Sequence, residues 1–205
     1  MNNDLIYGIG VNDADYAVEI CNVKKDSTGV RKKTSLWKCP FHVVWTDMLK
    51  RCYSKKYLEK TPSYIGCYVA PEWLIFSNFR KWMEGQDYAG KELDKDILIR
   101  NNKVYSSDTC VFISPKLNRF ILDCKRSRGE FPLGVCFHKK NLNFVARCRH
   151  NGTRIHLGCF NSPLEAHEAW REYKHKVALE LANMQTDVRV AEALRIRYAE
   201  GTVHE

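Results

Sequence analysis

The chain has 205 residues, 44% of them hydrophobic and 28% charged, which suits one medium domain or two small ones and argues against a disordered or repetitive chain. No apolar run approaches the roughly 18 residues that span a bilayer, and the start MNNDLIYGIG lacks both the basic and the apolar region of a secretion leader. A soluble cytoplasmic protein with no membrane partner is expected, and nine cysteines without any C-x-x-C pair fit buried thiols in a reducing compartment.

In chain order, the first 36 residues read as a short strand or two around an exposed loop containing KKDSTGVRKK. From Phe41, the residues Val44, Trp45, Met48, Leu49 and Cys52 fall at helical spacing, and Trp73, Phe76, Phe79, Trp82 and Met83 do the same after Pro71. Two helices packed on each other are predicted, with KKYLEKTPSYIGCYVA between them. Leu93 to Ile99 is a β-prone run, Asn101-Asn102-Lys103 a turn, Thr109 to Ile113 a second β-prone run, and Ser114-Pro115 the start of a helix. From Gly134, three short strands are predicted at Val135–Phe137, Asn143–Cys148 and Ile155–Phe160, with Asn151-Gly152 as a turn pair. A long helix beginning at Ser162-Pro163 follows, with a stripe of Ala166, Trp170, Tyr173, Val177 and Leu181, and a last helix from about Val188 to Ala199.

The net charge of +9 is unevenly distributed: residues 1–124 total +4 and those from 163 onward total −2. The stretch 125–162 carries Lys125, Arg126, Arg128, Lys139, Lys140, Arg147, Arg149 and Arg154, eight basic side chains against Glu130 alone. A basic block on a segment that reads as folded favours a phosphate backbone as partner.

The segment around Leu93–Asn118 carries the residues for chemistry. Asp94 and Asp96 alternate with Lys95 on the first β-prone run, and Asn118 stands in the first turn of the following helix. A carboxylate on a strand facing a carboxamide on a packed helix supplies two hard oxygen ligands for an ion such as magnesium or manganese, leaving positions for water and a phosphate. Cys39, Cys52, Cys67 and Cys110 form a competing set for structural zinc, at spacings too long to be diagnostic.

The stretches WTDMLKRCY from Trp45, CYVAPEWLIFSNF from Cys67, LDKD, VYSSDTC and Leu117-Asn118, in that order, resemble phage-borne HNH homing endonucleases. That resemblance implies a ββα-metal (His-Me) finger over about 91–123, within an HNH-like module spanning 1–124. Asp94 then takes the place of a metal ligand, Lys95 that of the general-base histidine, Thr109 that of the loop-orienting asparagine, and Asn118 that of the second metal ligand, with Asp96 as a further acidic candidate. Lysine is ordinarily protonated at neutral pH and makes a poor base, so Asp96 or His42 is the alternative, and an inactive centre is the other consequence.

After a connector at 125–133, the stretch 134–205 carries Gly134-Val135, Phe144-Val145-Ala146-Arg147, Leu157-Gly158-Cys159-Phe160, Glu165-Ala166 and Ala169, a pattern that resembles the APETALA-type DNA-binding domain. The expected fold is therefore α+β: a helical region with a ββα-metal finger, then a three-stranded antiparallel sheet packed on a long helix. Arg147, Arg149 and Arg154, with Lys139 and Lys140, are expected to contact double-stranded DNA from the outer sheet face, and Arg126 and Arg128 from the connector. The resemblance implies a metal-dependent endonuclease of phage homing type in a bacterial host, cutting or nicking at a site chosen by its C-terminal domain. The alternative is a catalytically inactive, nuclease-derived DNA-binding protein acting as a regulator or interference factor.

Overall fold

The computed structural model describes residues 5–25, 27–122 and 130–199. The fold is α+β and divides into two compact units, residues 1–115 and 116–205. The division falls before residue 124, the expected end of the front module. No helix among the described residues is long and apolar enough to cross a membrane.

The first unit opens with an antiparallel ribbon of β1 (Glu19–Lys25) and β2 (Arg31–Lys38), longer than the short strands expected there. The register skips beside Ile20, which faces Trp37 while Cys21 faces Ser35, so Leu36 is the extra residue of a bulge. The ribbon is tied to the body where the Cys39 amide donates to the Val18 carbonyl, and β2 then leads into α1 (Pro40–Tyr53). Pro40 sits in the first turn of α1, where its missing N–H costs nothing.

Helix α1 buries Trp45, Met48, Leu49 and Cys52, and α3 (Phe76–Glu84) buries Phe76, Phe79 and Met83 in the same core, as their spacing predicts, whereas Trp73, read into the second helix, lies in a separate 3₁₀ turn at Pro71–Leu74. The Trp45 indole stays satisfied in that core by donating to the Trp73 carbonyl at 2.7 Å. Between these helices lie α2 (Lys55–Lys60), a short 3₁₀ turn at Pro62–Tyr64 and β3 (Tyr68–Val69).

Strand β4 (Glu92–Asp94) is much shorter than the run Leu93–Ile99 read as a strand, and the chain turns away after Asp94. The cause is local: Asp94 Oδ1 accepts the backbone N–H groups of both Asp96 and Ile97, at 2.9 and 2.7 Å, offering the backbone a turn in place of a ladder. The chain next forms β5 (Val104–Tyr105), which pairs in parallel with β3, and then β6 (Val111–Ile113), antiparallel to β4. Leu93 faces Phe112 in that pair, both enter the α1–α3 core, and Phe112 stacks on Trp82. The β4–β6 pair is thus rooted in the best-packed part of the unit.

Helix α4 (Pro115–Ile121) begins at the division and otherwise belongs to the second unit. The rest of that unit is a sheet of β7 (Val135–His138), β8 (Asn143–His150) and β9 (Thr153–Phe160), antiparallel in the order β7-β8-β9, covered on one face by α5 (Pro163–Ala182). Strands β8 and β9 reach past the expected Cys148 and Ile155 because Asn151 and Gly152, at φ 49° and 81°, form a tight two-residue turn.

The Ser162 hydroxyl accepts the Glu165 amide at 3.2 Å, capping α5 ahead of Pro163 as its sequence predicts. Ala166, Trp170, Val177 and Ala178 are buried on α5, with Phe144, Ala146 and Cys148 from β8 in the same apolar clusters. Gly134 has φ +78°, and a Cβ there would stand 2.0 Å from the Trp170 ring, so backbone conformation and close packing both demand glycine. Helix α6 (Val188–Arg197) closes the unit, capped by Asp187. Lys174, buried on α5, donates to the Phe120 carbonyl and lies over the rings of Phe120, Tyr198 and Trp170 at 3.5, 5.0 and 5.7 Å. One cation thereby ties α4 to α5 and the end of α6.

Candidate functional site

The loop that follows β4 is organised by three polar side chains. Asp94, buried at the strand end, uses Oδ1 on the two amides ahead of it. Asn102 closes the far side of the loop. Its amide donates to the Lys95 and Val104 carbonyls at 2.8 and 2.6 Å, and its Oδ1 accepts the Val104 N–H. Thr109 adds a second donor to the Val104 carbonyl at 2.8 Å and bonds the Ser106 hydroxyl. Thr109 and Asn102 thus converge on the same backbone group at Val104.

Lys95 is the surprise of the site. The regular strand that would set it opposite Asp94 and Asp96 does not continue, and its side chain is instead buried between the Tyr64 and Tyr105 rings. Its Nζ donates to both carboxylate oxygens of Asp96 and to the Asn102 carbonyl, each at 2.7 Å. The three acceptors match the three donors of the Lys95 Nζ, which thereby holds Asp96 in place. Asp96 keeps a side chain 42% exposed and is the solvent-facing carboxylate of the loop.

The expected metal ligands can be tested against this arrangement. Asp94 Oδ1 is engaged by two backbone amides. Among the described residues there is no cluster of three or more His, Cys, Asp or Glu side chains able to hold a metal. The acidic oxygen donors of this loop are the Asp94 and Asp96 carboxylates, too few for an all-protein cage. Asn118, the other expected ligand, lies on α4 in the second unit.

The cysteines proposed for zinc are buried thiols: burial pushes Cys52 and Cys110 up to about 12 and Cys67 upward as well, against the deprotonation that metal binding needs. His42, the alternative base, packs against the Trp45 and Phe76 rings, and its buried Nε2 has no hydrogen-bond partner. Burial lowers its pKa, partly offset by Glu19.

The second unit brings the expected sheet arginines together. Residues 144, 146 and 148 of β8 face α5, so alternation turns Arg147 and Arg149 to the other face. Arg154 is directly opposite Arg149 and His156 directly opposite Arg147 on β9. Arg149 and Arg154 are exposed and face each other as like charges, an arrangement that favours an anion between or above them. Lys139 and Lys140 are exposed in the β7–β8 turn, beyond the end of the sheet. Arg126 and Arg128, like Lys125, lie outside the described residues.

Sequence reasoning overlooked Asn102, although an Asn-Asn-Lys turn is the kind of place where a carboxamide captures backbone groups. It also passed over Lys174, which is buried among three aromatic rings and donates to the Phe120 carbonyl. No family model, curated protein or solved structure matches this chain.

Proposed function

We propose that the chain is a metal-dependent DNA endonuclease built on a ββα finger, with its basic sheet as the element that holds the duplex. The observation that carries this reading is the antiparallel β4–β6 pair that ends in Asp94 and runs straight into α4, in a chain whose second unit turns Arg147, Arg149 and Arg154 to one face. Asp94, whose Oδ1 keeps the loop shaped, is the residue that would hold a magnesium or manganese ion. A divalent ion bound there supplies polarisation of the scissile phosphate and charge stabilisation of the leaving oxygen. Asp96, steered by Lys95 and open to water, is the carboxylate positioned to orient or deprotonate the attacking water. The Lys95 cation additionally offsets negative charge beside that carboxylate.

A second reading, a DNA-binding protein that no longer cleaves, is favoured by one specific observation: the residue in the histidine place is a buried cation with all three donors engaged. The two readings separate in one experiment on supercoiled and linear duplexes, with magnesium, manganese or chelator. The nuclease reading expects metal-dependent nicking or cutting that Asp96→Asn reduces by about 10²–10⁴-fold, the usual span of general-base loss. Tight binding without cleavage under any metal would leave the second reading.

A further inference from the structure

The β1–β2 ribbon takes no part in the site described above, and its composition calls for a partner. All eight residues of β2 are exposed, as are Ile20, Asn22, Val23, Lys24 and Lys25 of β1, so neither face is covered along most of its length. Isolated two-stranded ribbons are marginal in water even with favourable cross-strand pairs. Here the pairs near the tip are unfavourable: Lys24 lies directly opposite Lys32, and Lys25 directly opposite Arg31. Like charges facing each other across a ladder destabilise it.

Nearer the root an acidic side chain enters the ribbon. Lys33 and Lys38 both approach Glu19, at 3.0 and 3.5 Å, and the hydrogen bonds from Lys33 and Ser35 hold the Glu19 carboxyl down to about 2. Lys24, Lys25, Arg31 and Lys32 have no ion-pair partner among the described residues. The ribbon therefore has a root fixed to the body, where Glu19 answers two lysines, and a tip whose described residues carry four cations and no anion, two cations on each face.

We propose that the β1–β2 ribbon is a second DNA-contacting element, an arm whose tip enters the major groove of duplex DNA. The proposal rests on the DNA-binding reading above and adds a separate surface to it. A two-stranded ribbon fits a groove about 12 Å wide, and a groove presents phosphates on both walls, which matches cations on both faces of one ribbon. At about 3.4 Å per residue, the seven-to-eight-residue strands reach roughly 25 Å from the root, enough to carry the tip across a duplex of ordinary width. The exposed Val23, one step from the charged tip, offers apolar contact of the kind thymine methyl groups accept.

The test uses the full chain with Lys24→Gln, Lys25→Gln, Arg31→Gln and Lys32→Gln combined, and a 25-base-pair DNA duplex of mixed sequence followed by fluorescence anisotropy across a salt series. Affinity should fall at least about tenfold, and the slope of log affinity against log salt should become shallower by about 3, while Tm stays level or rises because the facing charges are gone. A charge-keeping exchange, Lys24→Arg, Lys25→Arg, Arg31→Lys and Lys32→Arg, should keep the wild-type slope, which guards against a ribbon that merely misfolds. An unchanged slope in the Gln variant, alongside a shallower one when Arg147, Arg149 and Arg154 are changed to Ala, overturns the arm and leaves the DNA reading standing. Absence of salt-dependent duplex binding by the wild type overturns both. The same loss on an RNA duplex, whose major groove is too narrow for a ribbon, overturns groove entry.

Discussion

Asp94 shapes its loop and, in the proposed function, would also hold the metal, and two substitutions separate these roles. Asp94→Ala removes the acceptor of two amides and leaves the N–H groups of Asp96 and Ile97 without a partner in a buried turn, a cost of about 1–3 kcal/mol apiece. Asp94→Asn keeps an oxygen for both amides and removes the charge an ion needs. Thermal melts should show a clear fall in Tm for the Ala variant and a change worth less than about 1 kcal/mol for the Asn variant, while cleavage is lost in both. Equal melts would mean that Oδ1 does not shape the loop.

Two further residue-scale predictions follow from burial. Cys52 and Cys110, pushed up to about 12, should resist iodoacetamide in the native protein at pH 8, whereas exposed Cys159 should react; peptide mass mapping reads this directly. His42, whose pKa is lowered by burial, favours the neutral ring when folded. Its contribution is fully present above the unfolded value near 6.5 and is lost as pH falls through that value towards the lower folded one. Denaturant unfolding of wild type should weaken between pH 7 and pH 5, and His42→Phe should flatten that dependence. The same slope in the variant would assign it to other groups.

At the scale of the element, the helices were legible because each carries its own instructions. Trp45, Met48 and Leu49 repeat at helical spacing, Pro163 follows a capping serine, and Asn151-Gly152 names its turn. The strand read into Leu93–Ile99 was not legible, because its branched residues favour extension while a carboxylate at Asp94 and a carboxamide at Asn102 take the backbone hydrogen bonds first. That competition is decided by side chains eight residues apart and leaves no period in the sequence. The sheet and α5 provide an element-scale prediction. Gly134→Ala meets the Trp170 ring at a positive φ, and denaturant unfolding should show a loss above about 2 kcal/mol. A loss below about 0.5 kcal/mol would mean that Trp170 is free to shift.

At the scale of the molecule, charge separates two kinds of surface. The sheet face was foreseeable from alternation in Phe144–Arg149 and from the basic count of 125–162, whereas the pairing of Arg149 with Arg154 required the register. The ribbon was visible only as KKDSTGVRKK, a charged loop whose meaning depended on the strands extending into it and on the cations facing each other. The front unit holds the Asp94–Asn102 loop on a packed aromatic core, and the second unit holds the arginine face on α5. Chemistry and grip should therefore separate under mutation: Arg147→Ala with Arg149→Ala and Arg154→Ala should weaken DNA binding and make its salt slope shallower by about 2–3. An unchanged slope would remove the sheet face from the account.

The central claim is cleavage at the loop after β4, and one measurement addresses it most directly: conversion of supercoiled DNA with magnesium or manganese by wild type and by Asp94→Asn, with duplex affinity measured in parallel. The account predicts metal-dependent nicking or cutting by the wild type, abolished in Asp94→Asn, with the variant's affinity kept within about threefold, under 1 kcal/mol. Equal cleavage by both proteins, or binding by the wild type without cleavage under either metal, would contradict it.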